Sequence, residues 1–203
     1  MMTPSPTESR DAGSRHPESR NFESQQAASL PLTPWARAIC RSLVTLGTHD
    51  VVYVPDNPLS NVLRALDAEH PGIRTTIATR EEEAFGIAAG LYLGGVRPVV
   101  MLQSSGLGNS INALASLNVA FDIPILMLIT MRGGEGEWNP TQHPMGLAVR
   151  PILESLGIPH VTIESDDEAE EQVRRAGVEA HSTKRPAACL LARKLWSPAK
   201  LAS

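Results

Sequence analysis

The sequence predicts an α/β protein, with a doubly wound, mainly parallel sheet of six strands and helices on both faces. Three observations predict it. Short β-branched runs alternate with helix-length runs between residues 33 and 196. Several strand runs are apolar on both faces, as strands sandwiched between two helical layers must be. A chain of 203 residues with 42% hydrophobic side chains also suffices for one domain with a full core.

Residues 1–32 are rich in Ser, Pro, Glu, Arg and Gln, offer almost nothing apolar to bury, and are expected to form a disordered tail. They lack the apolar core of a secretory signal, and their acidic residues argue against a transit peptide. The domain is expected over 33–196. Thr33 is placed to cap a first helix with Pro34 at its first position; Trp35, Ile39, Leu43 and Leu46 make one stripe, and Gly47 ends it. A strand at 51–54 and a helix at 59–68 follow, then a strand at 73–78 and a helix at 81–93. Residues 98–103 read as a strand, 109–120 as a helix, 125–130 as a strand, and 146–156 as a helix carrying Pro151. Strands at 160–163 and 187–192 are joined by a charged helix at 167–181, leaving 197–203 as a C-terminal tail.

The formal net charge of −4 gives no electrostatic case for nucleic acid or an anionic membrane, so a small-molecule or protein partner is expected. Cys40 and Cys189 lie far apart in apolar surroundings and read as buried thiols, with neither a disulfide framework nor a metal-ligand cluster indicated. No stretch is long and apolar enough to span a bilayer, and a cytoplasmic location is expected.

Ligands of parallel sheets gather at the carboxyl ends of the strands. That rule selects four segments: 55–58, 79–81, 104–109 and 131–143. In the second, Glu81, Glu82 and Glu83 open a helix, where carboxylates serve as caps or can be held against a cofactor. The third, with Ser105, Gly106, Gly108 and Asn109, suits a phosphate cradle or merely a tight turn; it lacks both the P-loop lysine and the three-glycine fingerprint. The fourth is long and glycine-rich, and its Arg132, Gln142 and His143 suit an anionic substrate, or a solvated charge and a helix-capping histidine.

Three runs then carry a family resemblance. Arg80-Glu81 through Ala89-Gly90, Leu102-Gln103-Ser104-Ser105-Gly106-Leu107-Gly108-Asn109 through Asn118, and Arg132-Gly133 followed by Asn139-Pro140-Thr141-Gln142 and Met145-Gly146 resemble the pyrimidine-binding domain of thiamine diphosphate enzymes. Within that family they resemble alpha subunits of sulfopyruvate and phosphonopyruvate decarboxylases. The Ser105-Gly106-Leu107-Gly108 turn also looks like the Ser-Gly-Pro-Gly turn of acetolactate synthases, with leucine for proline.

The resemblance implies thiamine diphosphate as cofactor and one glutamate that activates its aminopyrimidine ring. Counting back from Gly90 puts that role on Glu81, whereas a register fixed by Tyr92 would put it on Glu82; the Gly90 register is adopted. Ser105, Gly106, Gly108 and Asn109 are implied on the cofactor side, and Asp56, Asn57, Arg132, Gln142 and His143 on the substrate side. The implied reaction is decarboxylation of 3-sulfopyruvate or 3-phosphonopyruvate to the aldehyde and carbon dioxide. In such enzymes a second domain marked by Gly-Asp-Gly binds magnesium and the diphosphate. This chain contains no Gly-Asp-Gly, which implies a separate beta subunit, a hetero-oligomer, and an alpha chain inactive alone. Arg80, where relatives acting on simple 2-oxo acids often have histidine or asparagine, counts against a plain pyruvate decarboxylase. The alternatives are a carboligase half-enzyme and a non-catalytic regulatory partner; the intact glutamate counts against the latter.

Overall fold

Runs of β-branched and other apolar residues extend into six strands in a computed structural model that describes residues 31–196: β1 Asp50–Tyr53, β2 Arg74–Ile77, β3 Pro98–Gln103, β4 Leu126–Thr130, β5 His160–Ile163 and β6 Ala187–Leu191. Every pairing is parallel, in the order β2-β1-β3-β4-β6-β5. This is the α/β sheet the alternation predicts. The helices between and around the strands are α1 Pro34–Thr45, α2 Ser60–Glu69, α3 Glu81–Leu93, α4 Ser104–Ala113, α5 His143–Ser155, α6 Asp166–Thr183 and the short α7 Arg193–Trp196.

Successive strand residues point to opposite faces, and each face has its own core. Val51, Met101 and Leu128 pack with Trp35 and Ile39 of α1, Leu66 of α2 and Val173 of α6. Val100, Leu102 and Met127 pack with Phe85 of α3, Leu107 of α4 and Val149 of α5 on the other. The central strands β3 and β4 are therefore buried almost throughout. β2 differs, because it is the sheet's edge: Ile77 is 61% exposed. Of the expected tails, Leu32 packs against the α1 side and Pro31 is exposed; residues 1–30 and 197–203 lie outside the described residues.

Two sequence expectations need correction. The helix expected at 109–120 begins at Ser104, directly after β3, and continues past Ala113 as a π-helical stretch, Leu114–Val119. The segment 104–109 is thus the first turns of α4 and not a loop. The helix expected at 146–156 starts at His143, with Pro144 in its first turn, after a 3-10 turn at Pro140–Gln142. Thr33 does occupy the N-cap position of α1, but its side chain makes no capping hydrogen bond. Cys40 and Cys189 are buried free thiols, and burial pushes both up to about 12.

Candidate active site

Because the strands are parallel, the segments that follow them emerge along one edge. α3 begins there with three consecutive carboxylates, and the structure gives each a separate set of contacts. Glu83, at the third helical position, accepts a hydrogen bond from the Thr79 N–H at 2.7 Å, which ties the helix start to the residue before its N-cap, Arg80. Glu82 pairs with Arg80 at 2.8 Å. Glu81 instead turns toward α4, where Asn109 Nδ2 donates to its Oε2 at 3.3 Å.

The approach of Glu81 depends on Gly106. A β-carbon at that position would lie 2.5 Å from Glu81 Cγ and 2.7 Å from Oε1. The glycine lets α4 approach the carboxylate closely, since any β-carbon there would displace the Glu81 side chain. Gly108 answers to a different neighbour: a β-carbon there would lie 2.6 Å from Met145 Cε on α5. The glycines of 104–109 thus let α3 and α5 close on α4.

Beside this contact the junction of β3 and α4 is polar and buried. Ser104 is fully buried, and its Oγ has no hydrogen-bond partner among the described residues; Gln103 Oε1 is likewise unpaired. Asp56, in the segment after β1, accepts a 2.5 Å hydrogen bond from Thr130 Oγ1 at the end of β4. The 55–58 segment therefore leans across the end of β3. Buried acceptors without partners are costly unless something donates to them.

The 131–142 segment has an internal anchor that sequence reasoning missed. Glu137 has a fully buried side chain, and Arg132 donates to it through Nε and Nη2 at 2.9 and 3.3 Å. The Asn139 and Gly133 N–H groups donate to the same carboxylate at 3.2 and 3.4 Å, and Arg193 approaches at 3.6 Å. The Arg132 guanidinium, with the two backbone donors, holds the Glu137 carboxyl down to about 2. Both arginines also lie over the Trp196 ring, at 5.8 and 5.2 Å. Arg132, expected to face substrate as a fixed cation, thus has two donors committed within the chain. Arg193 and Trp196 lie more than fifty residues from Glu137 in sequence, and no local pattern links them.

At the end of this segment, His143 Nδ1 lies 2.8 Å from Gly133 O. A carbonyl only accepts, so Nδ1 carries the hydrogen and Nε2 is left as the free ring nitrogen. Gln142 Oε1 is buried without a partner among the described residues. Gly146 packs so closely on Arg132 that a β-carbon would lie 2.0 Å from its carbonyl oxygen. Of the residues singled out from sequence, Glu81, Gly106 and Asn109 therefore meet directly. Arg132 and His143 meet through Gly133, Asp56 meets β4, and the side chains of Asn57 and Ser105 make no hydrogen bond among the described residues.

The family described as thiamine pyrophosphate enzyme, N-terminal TPP binding domain, matches residues 34–144. The chain is 40% identical over 161 residues to the sulfopyruvate decarboxylase subunit alpha of Methanothermobacter thermautotrophicus, covering 79% of this chain and 97% of that protein. It is 35% identical over 120 residues to the phosphonopyruvate decarboxylase of Streptomyces viridochromogenes, covering 59% of this chain but only 30% of that longer protein. Among solved structures, 2-oxoglutarate:ferredoxin oxidoreductase from Magnetococcus marinus superposes with a TM-score of 0.67 at 16% identity. That match covers 79% of this chain and 29% of the other, and it speaks to the fold alone.

Proposed function

Since the chain belongs to the thiamine pyrophosphate enzyme family through its TPP binding domain, we propose that it is the alpha subunit of a 2-oxo acid decarboxylase acting on 3-sulfopyruvate or 3-phosphonopyruvate. The reading that a beta subunit completes the site is supported by relatives named as alpha subunits over nearly their whole length. The absence of Gly-Asp-Gly from this chain supports assigning magnesium and the diphosphate to that partner. Among the described residues no cluster of three or more His, Cys, Asp or Glu side chains could hold a metal ion.

The observation that carries the proposal is the placement of Glu81 against Gly106 and Asn109, while Glu83 accepts from the Thr79 N–H and Glu82 pairs through Oε1 with Arg80. These residues fit an aminopyrimidine ring. Glu81 supplies the carboxylate for ring nitrogen N1′, and the unpaired acceptors Gln103 Oε1 and Ser104 Oγ at the β3–α4 junction suit amine donors. Bound thiamine diphosphate supplies the electron sink that lets the substrate carboxylate leave as carbon dioxide.

This chain's residues do the rest of the work assigned here. Glu81 holds and returns the proton at N1′, with Asn109 Nδ2 fixing the direction of its Oε2. His143, with Nδ1–H locked on Gly133 O, presents Nε2 as an acceptor, or as a donor once protonated. Gln142, Asp56 and Asn57 complete the substrate side. Arg132 acts there chiefly by holding the 131–142 segment in shape through Glu137.

The test is reconstitution. The chain mixed with a Gly-Asp-Gly-bearing partner, thiamine diphosphate and magnesium should release carbon dioxide and the corresponding aldehyde from either substrate. Turnover by the chain alone with cofactor would overturn the half-site reading. In the same assay Gly106→Ala should lower the rate by about 10²-fold, the scale expected when a catalytic group is pushed about an ångström out of place. Its melting temperature should change little, because the clash is with a flexible side chain.

A further inference from the structure

The carboxyl edge has a second opening, away from Glu81. The segment leaving β4 leads to α5, whose Val149 and Leu153 join the Phe85 side of the sheet; the segment leaving β6 leads to Leu195, which joins the Trp35 side. β4 and β6 are neighbours, so chains diverging to opposite faces leave a crevice between their ends. Such switch points are where open parallel sheets take ligands.

Here the crevice is a cleft of about 360 Å³, at the small end of the range for small-molecule sites. Arg132, Arg150, Arg193 and Lys194 line it, and neither Glu81, Gly106 nor Asn109 does. Arg132 and Arg193 share the single carboxylate of Glu137. Lys194 is paired with Glu164 at 2.7 Å. Among the described residues Arg150 has no carboxylate in hydrogen-bond reach, Glu164 acting on it only through its charge; its Nη2 donates to Thr162 Oγ1 at 2.8 Å, which leaves the Thr162 hydroxyl hydrogen free to donate onward. Glu135 is the remaining acid of the lining and is exposed. The cleft thus retains excess positive charge beside a hydroxyl donor and planar guanidinium forks, the donor set that recognises tetrahedral oxyanions.

We propose that the β4–β6 crevice is a second ligand site, taking a small phosphate- or sulfonate-type oxyanion on Arg150 and Thr162. The volume suits a compact metabolite and is tight for a nucleotide. Arg193 and Lys194 supply the surrounding positive field. The site is read on this chain alone and does not depend on the decarboxylase reading.

Calorimetric titration of the full chain with inorganic phosphate, and separately with methanesulfonate, tests this at low ionic strength. One saturable site of roughly millimolar affinity, weakening as sodium chloride is added, is the expected result for at least one probe. Arg150→Ala should weaken it about tenfold or more, and Thr162→Val by several-fold. Arg150 is exposed, so its loss should leave the melting temperature in place. Glu81→Gln should bind the probe as the unaltered chain does. Absence of saturable binding with both probes, unchanged affinity in Arg150→Ala, or lost affinity in Glu81→Gln would overturn the proposal. Because binding is measured without partner or cofactor, failure of the reconstituted decarboxylase leaves this result standing, and the reverse holds too.

Discussion

Glu81→Gln is expected to cut the rate of 2-oxo acid decarboxylation by the reconstituted enzyme about 10²- to 10⁴-fold, the usual range for removing a positioned proton-transfer group. The amide keeps the shape of the carboxylate and its contact with Asn109 Nδ2 can be replaced by the amide oxygen, so folding should be unaffected. The adjacent variants provide the contrast. Glu82→Gln removes an ion pair to exposed Arg80, worth about 0–1 kcal/mol at most surfaces. Glu83→Gln weakens one exposed hydrogen bond to the Thr79 N–H, worth about 0.5–1.5 kcal/mol. Both should retain most of the activity. Steady-state carbon dioxide release for the three variants decides the matter: an active Glu81→Gln beside a dead Glu82→Gln would transfer the role to the neighbouring carboxylate.

Glu137→Ala should have the largest effect on stability. It strips the carboxylate from Arg132 and Arg193, whose side chains are only 16% and 13% exposed. Breaking a buried ion pair from one side costs about 3–5 kcal/mol, and denaturant unfolding should read a loss of that order. The pH dependence has a defined sign. The Glu137 carboxyl is held from its ordinary 4.5 down to about 2, so its stabilising contribution is complete above about pH 4.5 and is lost as pH falls toward 2. Glu137→Gln should therefore lack that part of the acid-induced loss, and unfolding curves between pH 7 and pH 2 should converge with those of the unaltered chain at the acid end. A constant difference across the whole range would show that the carboxylate's charge is not what holds the segment.

The sequence made the sheet legible because its strands are short apolar runs and its crossovers are amphipathic. The bounds expected for α3, β3 and β5 coincide with those observed. What escaped was decided by contacts distant in sequence. Ser104 to Gly108 looks like a loop, since two glycines and two serines have poor helix propensity. Glu81 and Met145 nevertheless demand glycines there, and tertiary packing keeps the segment helical. Similarly, Pro144 and His143 open α5 three residues earlier than the apolar periodicity indicated.

The same division holds at the site. The role proposed for Glu81 rests on the spacing to Gly90 within a resemblance, and the structure adds its contacts with Gly106 and Asn109. Arg132 was legible as a residue but not as a partner. Its ion pair needs Glu137, one acid in a glycine-rich run, and the ring of Trp196 is brought beside it only by the return of the chain through β6. The orphaned Gln103 Oε1 and Ser104 Oγ are invisible in sequence, because burial rather than residue type makes them notable.

The three carboxylates that open α3 also constrain how the chain can vary. Neighbouring residues on a helix point about 100° apart, so Glu82 stands a quarter-turn or more away from the direction Glu81 faces. Deleting one residue at the start of α3 would still leave a glutamate in first place. It would, however, rotate Ala84, Phe85, Ala88 and Ala89 off the core they now fill. The chemical direction of the glutamate and the packing direction of the phenylalanine four residues later are a single angular setting, so tandem acids give the chain no spare.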